Sequence, residues 1–280
     1  MMNRSAGTPF ETLAVRDDAR GVLHLTLNRP ASRNAMSLAM VDELLDALAH
    51  AEARGDVRVI VLRGAGGHFC AGADLADMAA ARGARADGQG DALARANARF
   101  GALCAAFART GIATVALLEG TVMGGGLGLA CVVDVVLADA TASLRLPETS
   151  LGLVPAQIAP FLVERVGSSQ ARRLAVTGGR LDAAQALAIG LVHEVHPAPI
   201  PGQACPLEQA LATTLDAMLR CAPGAVAATK ALMARARQLP PAALVDEAAA
   251  AFAAAARGAE GLEGTMAFLH KRAPSWAPAR

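Results

Sequence analysis

Two glycine-bearing loops hold the residue types that could do chemistry. "GGHFCAGADL" follows the apolar run "VRVIVLRG", and "GTVMGGGLGL" follows "IATVALLE". Each run reads as a buried strand, and each loop runs into a helix. Ligands of α/β sheets bind beyond the carboxyl ends of strands. A helix start offers N–H groups without intrahelical partners, at the positive end of the helix dipole. Two such starts can aim two backbone N–H groups at one oxygen, as an oxyanion hole does, and small residues keep the approach open. Gly124, Gly125 and Gly126 equally fit a tight turn and a close helix crossing. "MGGGLG" is not a phosphate loop, since no GK[ST] follows, and it lacks the GxGxxG spacing.

Glu148, in "LPETS", follows a predicted strand. By position alone it is a first-turn helix acid as readily as a proton carrier. His24, His68, His193 and His196 have no metal-like spacing. "HEVH" on a strand points His193 and His196 to opposite faces. His68 flanks the first loop and reads as a solvated loop histidine. Cys70 has no identifiable partner base and reads as a small packing residue. No metal is expected.

The elements that must position these groups follow from pattern. Phe10–Arg16 and Val22–Leu27 read as a hairpin around "DDARG". Ser37 is a good N-cap for a helix to about Arg54. A helix enters near Leu75, and another runs from about Asp91 to Arg109. Between them "AARGARADGQGD" is small and polar, a segment expected to be mobile or ordered by ligand. The triple glycine opens a short apolar helix, and "VVDVVLAD" and "ASLRL" supply strands. Helical patterns follow at Ile158–Val166, Gln170–Thr177 and Asp182–Ile189, with one more strand in "GLVHEVHPA". "PAPIPGQACP" reads as a linker, and Ala-rich helices run from there to Trp276. Strand–helix alternation predicts an α/β fold with parallel pairing.

Composition narrows the function classes. The 280 residues are 54% hydrophobic and 18% charged, which excludes a disordered chain. The net charge of +1, without a basic run, gives no support to nucleic-acid binding. The five cysteines form no CxxC pair, and a reducing compartment is expected. The first fifteen residues contain no secretory h-region, and no run is apolar enough for a membrane span. A soluble, cytoplasmic location is expected, with no membrane partner.

"LTLNRPASRNAMS", "HFCAGADL", "GTVMGGGLGLACVVDVVLADA", "LRLPETSLGLVPA" and "AFLHKRAP" occur in this order across nearly the whole chain. Together they resemble the crotonase family, the enoyl-CoA hydratase/isomerase superfamily. "LPETSLGLVPAQIAPFLVERVG" and "CAPGAVAATKAL" look most like its isohexenylglutaconyl-CoA hydratases of acyclic terpene breakdown. The resemblance implies an α/β fold, a spiral of ββα units over residues 1–200. It also implies a C-terminal helical region over 201–280 that builds a homotrimer or a dimer of trimers and contacts CoA. It implies an acyl-CoA substrate and no permanently bound cofactor, coenzyme A arriving as part of the substrate. Ala73 and Gly125 match the two oxyanion N–H donors, and Glu148 the family's second catalytic carboxylate. Substrate and CoA contacts fall on Arg33, Ala35, Ala71, Gly72, Asp74, Leu75, Gly124, Gly128, Pro155, Gln157, Phe268 and Lys271. Lys271 reaches CoA from a neighbouring subunit in the family, or else is a surface cation. Gln157 orients water or substrate, or caps a helix.

The chain departs from the family at one place that matters. Two-glutamate hydratases carry their first catalytic Glu three residues beyond the oxyanion glycine, and here that position is Gly128. One glutamate could take and return the proton in sequence, or a substrate carboxylate could help. The reading is hydration of an α,β-unsaturated, branched enoyl-CoA through a stabilised enolate. Its rivals are an enoyl-CoA isomerase using Glu148 alone and a non-catalytic acyl-CoA-binding protein. RNA binding, known in one branch of the family, gains nothing from the charge balance.

Overall fold

The structure is a computed structural model and describes residues 10–83 and 91–278. In chain order the strands are β1 (Leu13–Asp18), β2 (Val22–Leu27), β3 (Val59–Gly64), β4 (Ala113–Leu118), β5 (Thr121–Met123), β6 (Val135–Asp139), β7 (Ser143–Arg145), β8 (Arg180–Asp182) and β9 (Glu194–His196). The large sheet has the order β1-β2-β3-β4-β6-β9 and is parallel apart from the β1–β2 hairpin. Its central strands are mostly apolar and almost entirely buried, as befits a parallel sheet covered on both faces. A smaller sheet, β5-β7-β8, stands beside it.

The helices are α1 (Leu38–Arg54), α2 (Leu75–Gly83), α3 (Ala92–Arg109), α4 (Gly125–Val132), α5 (Ala159–Thr177), α6 (Ala183–Ala188), α7 (Pro206–Leu219), α8 (Pro223–Ala236), α9 (Val245–Arg257) and α10 (Ala259–Leu269). Two turns of the expected spiral are plain. In β4–β5–α4 and in β6–β7–α5, one strand joins the large sheet, the next joins the small one, and a helix returns. Single parallel bridges, Met36 to Ala73 and Cys70 to Val122, carry the second layer back through the earlier turns. That second layer is where both glycine loops lie.

One apolar core fills the space between the inner sheet face and helices that include α1, α3 and α4, with Leu44, Phe69, Leu103, Phe107 and Leu127 fully or almost fully buried. A second core forms on the outer face, where Leu207, Leu211, Leu215 and Leu219 of α7 meet Val22, Val59, Val61 and Leu117. So α7 covers the sheet. Helix α8 is fastened by Lys230, whose Nζ donates to the Ile112 carbonyl and to Asp134 Oδ2, both at 2.7 Å. The same Asp134 oxygen accepts from the N–H and hydroxyl of Thr114.

The structure differs from the sequence expectations in detail. The first strand starts at Leu13 rather than Phe10, because buried Glu43 of α1 draws the Glu11 and Thr12 N–H groups away from a ladder. The helical patterns at 158–166 and 170–177 join into α5, broken at Gly167 with φ 75. Three-residue strands β5 and β8 are too short for a periodicity to appear. Ser37 caps α1 as expected, its hydroxyl accepting from Met40 N–H. The polar segment before Asp91 begins as helix, since α2 continues through Gly83, and residues 84–90 lie outside the described residues. Among the described residues no helix is long and apolar enough to cross a membrane.

Candidate active site

The loop after β3 is threaded between two others by backbone hydrogen bonds. Met36 N–H donates to the Gly72 carbonyl, and Asp74 N–H to the Met36 carbonyl. On the other side Cys70 N–H donates to Thr121, and Met123 N–H to Cys70. The bridge to Met36 uses the Gly72 carbonyl and the Asp74 N–H, so the Ala73 N–H between them points the other way. Gly125 is the first residue of α4, where an N–H has no intrahelical acceptor. Among the described residues neither the Ala73 nor the Gly125 N–H has a protein acceptor. Both residues line one cavity of about 300 Å³.

The three consecutive glycines do three different things. Gly124 has φ 47, and a Cβ there would lie 2.8 Å from Glu148 Oε1. Gly126 crosses the other loop so closely that a Cβ would lie 2.7 Å from Cys70 Cβ and 2.9 Å from its carbonyl oxygen. Gly125 has an ordinary φ, and a Cβ would make normal contacts of 3.5 Å with Phe100. The turn, the close crossing and the open donor are thus divided among neighbours. Gly72, with φ 94, meets Gly124 from the opposite loop.

Glu148 opens a 3-10 turn, Glu148–Leu151, that Gly152 closes in the left-handed conformation. Its carboxyl lies over Gly124, and Oε2 is buried without a hydrogen-bond partner. Burial pushes its pKa above the ordinary carboxylate value, opposed by its own backbone N–H. A carboxyl held toward its neutral form, beside two unpaired N–H groups, is equipped to give and take one proton.

Among the described residues no second unpartnered acid lines the cavity. A Cβ on Gly128 would sit 3.1 Å from both Ile158 Cγ1 and Phe100 Cζ, so apolar side chains fill the space a first glutamate would need. The other carboxylates on the cavity have partners. Asp74 pairs with Arg29 at 2.7 Å, and this hydrogen-bonded ion pair lowers its pKa. Asp77 accepts from the Leu38 N–H at 2.7 Å.

The cavity gathers six of the expected residues: Ala73, Asp74, Gly125, Glu148, Pro155 and Gln157. Gly72, Gly124 and Gly128 form its backbone floor rather than its lining. Arg33, Ala35 and Ala71 lie on the adjoining loops and Leu75 begins α2, Arg33 with φ 51 and its carbonyl accepting from Ala71. Phe268, 83% exposed, and Lys271, with φ 52, follow one another at the far end of the chain and do not line the cavity. Gln157 does not cap α5; its Nε2 donates to Asn97 Oδ1 at 3.0 Å. His68 is not a solvated loop residue, because its half-buried Nδ1 accepts from the Thr121 N–H at 3.1 Å and pins the β4–β5 turn. Burial raises the Cys70 thiol to about 11, as suits a packing residue.

Sequence reasoning missed Asn34, Asn97 and Phe100. Asn34 is fully buried, and its carboxamide donates to the carbonyls of Ala65 and His68 while accepting from Arg29 N–H. It therefore ties the loop after β2 to the loop after β3. Asn97 interrupts the otherwise apolar stripe Leu93, Ala96, Phe100, Cys104, a signal that was available.

The sequence pattern of the enoyl-CoA hydratase/isomerase family matches residues 17–279. A 2,3-dehydroadipyl-CoA hydratase of Escherichia coli strain K12 is 33% identical over 256 residues, 91% of this chain and 94% of that protein. The crystal structure of an enoyl-CoA hydratase/isomerase from Marinobacter aquaeolei superposes with a TM-score of 0.90 at 48% identity, covering 96% of this chain and all of that one. Pseudomonas aeruginosa AtuE superposes with a TM-score of 0.89 at 52% identity, covering 96% of this chain and 100% of its own.

Two outcomes follow from this geometry. Gly125→Ala is expected to keep the fold within about 1 kcal/mol, whereas Gly126→Ala loses about 1–3 kcal/mol to overpacking against Cys70; urea unfolding compares them, and equal losses would contradict the division of roles. For Glu148, the native state holds its proton more firmly than the unfolded chain, so native stability falls as pH rises from 4.5 through the raised value. Glu148→Gln removes that loss. The variant is expected to be more stable than the parent at neutral pH, with the gap closing toward pH 4; a gap independent of pH would refute the burial cost.

Proposed function

The chain belongs to the enoyl-CoA hydratase/isomerase family, whose members hydrate or isomerise enoyl-CoA thioesters, and from that premise we propose that it hydrates an α,β-unsaturated, branched enoyl-CoA of the isohexenylglutaconyl-CoA kind. The observation that carries this reading is the unpartnered carboxyl oxygen of Glu148 on the same cavity as two unpaired N–H groups. The thioester oxygen sits between the N–H groups of Ala73 and Gly125. Glu148 takes a proton from water as the water oxygen bonds to the β-carbon, and the displaced electron pair moves onto the thioester oxygen as an enolate. Glu148 then returns the proton to the α-carbon, and one water has been added. Two amide donors facing the developing oxyanion are each worth roughly 10²–10³ in rate.

The second reading keeps the same groups. With an apolar wall at Gly128, Glu148 alone can take a proton from one carbon and return it two carbons away, which is isomerisation. A panel of enoyl-CoA thioesters, assayed by mass spectrometry, separates the two. A mass gain of one water is the expected outcome, and a moved double bond at unchanged mass would replace hydration by isomerisation. In either case Glu148→Gln is expected to lower turnover at least ~10²-fold with the fold intact. Near-full turnover in that variant would remove Glu148 from the chemistry.

We further propose a trimer or a dimer of trimers, in which Lys271 and Phe268 of a neighbour, together with Arg33, approach CoA. The support is the apolar surface left on and beyond α9: Phe252 is 76% exposed, Leu262 60%, Phe268 83% and Leu269 66%. Large apolar side chains exposed along two helices in contact, α9 and α10, suit burial by a partner. Light scattering at micromolar concentration is expected to give three or six times the chain mass of 28.4 kDa, and a monomeric mass would end the proposal.

A further inference from the structure

The wall of the cavity opposite the glycine loops holds an unusual polar pair. Gln157, from the segment before α5, lays its carboxamide along α3, and its Nε2 donates to Asn97 Oδ1 at 3.0 Å. The seat is prepared in the helix itself. Gly101 lies in the interior of α3, where glycine is unfavourable, and a Cβ there would fall 2.2 Å from Gln157 Oε1 and 2.6 Å from its Cδ. The missing Cβ is the space the carboxamide occupies. Around it the lining is apolar: Leu93, Ala96, Phe100, Val154 and Ile158.

The orientation leaves a defined set of groups for a ligand. Asn97 Oδ1 is used by Gln157, and Gln157 Oε1 is turned onto Gly101. What remains includes three N–H hydrogens: the second on Gln157 Nε2 and both on Asn97 Nδ2. Arg82 brings a positive charge to the same cavity. Of the carboxylates there, Asp74 is paired with Arg29 and Asp77 accepts from the Leu38 N–H. An apolar cavity with three free N–H hydrogens at one pole and a cation beside them is matched by an acyl chain that carries an acceptor of negative charge.

We propose that Gln157 and Asn97, seated by Gly101, recognise a carboxylate on the acyl chain and so select acidic acyl-CoA thioesters over uncharged ones. This rests on the reading of the cavity as an acyl-CoA site, but not on which reaction follows. Saturated thioesters undergo neither hydration nor double-bond movement, so binding alone tests it. Adipyl-CoA and hexanoyl-CoA have the same chain length and differ in a terminal carboxylate against a methyl group. Calorimetric titration of the full chain is expected to show adipyl-CoA bound at least about tenfold more tightly, the usual worth of hydrogen bonds to a charged group. In Gln157→Leu and in Gly101→Ala, where the new Cβ evicts the carboxamide, the preference is expected to fall to within about twofold. Asn97→Asp, on the exposed side of α3, keeps the bond from Gln157 and sets a negative charge where the carboxylate binds, so the preference is expected to reverse and to weaken in high salt. Equal binding of the two ligands by the parent chain, or a preference that survives Asn97→Asp, overturns the proposal alone. Failure of both ligands to bind overturns the acyl-CoA reading with it.

Discussion

Two loops from different turns of the spiral must bring bare backbone within van der Waals reach, and the site depends on that approach. Gly72 and Gly124 face each other across it, and Cys70 and Gly126 pack one step away. A side chain at any of the tight positions would push the loops apart. Separation would cost more than packing: the Ala73 and Gly125 N–H groups, which the proposed function directs at one thioester oxygen, would diverge, and an oxyanion hole is worth little when its donors diverge. The glycines therefore carry their entropic cost for a geometric reason. The surrounding structure holds them in place, with Asn34 bonded to both neighbouring loops and Arg29 bridging Asp74 and the Ala35 carbonyl.

The absence of an acid at Gly128 is built into the packing. A Cβ on that glycine would lie 3.1 Å from Phe100 Cζ and from Ile158 Cγ1, so apolar side chains occupy the space a carboxylate would need. Phe100 and Ile158 also line the cavity that holds Glu148, whose own burial raises its pKa and leaves Oε2 without a partner. A lone carboxyl that must both accept and donate works best when its pKa lies closer to neutrality than a solvated glutamate's.

Much of this was legible in the sequence, and what was not has physical causes. The central parallel strands announce themselves as apolar runs because both faces are buried, and Ser37 marks a helix start by its own hydroxyl. The glycine run pointed to a site but not to its internal division, since φ 47 at Gly124 and an ordinary φ at Gly125 depend on what each residue faces. His68 looked free because its acceptor role is met by Thr121, fifty-three residues away. Strands β5 and β8 are defined by their neighbours rather than by a pattern of their own. The pairing of Gln157 with Asn97 spans sixty residues and uses a notch at Gly101 that reads, in sequence, as a flaw in a helix.

That flaw illustrates a general feature of the chain. Several local exceptions surround one cavity: positive φ at Gly72 and Gly124, left-handed Arg33 and Asn34, a helix-interior glycine at 101, and a buried carboxyl oxygen without a partner. Away from it most polar groups, such as Glu43 and Asp134, are matched to donors, although both ring nitrogens of buried His24 have no partner among the described residues. Each exception is unfavourable by itself and persists only where the rest of the fold over-determines it. The large sheet, packed on both faces by α1, α3 and α7, supplies that excess of order. Stability is therefore generated in the sheet and its two cores and is drawn down at the cavity, where bare amides, an unpaired acid and a notched helix are what the chemistry requires.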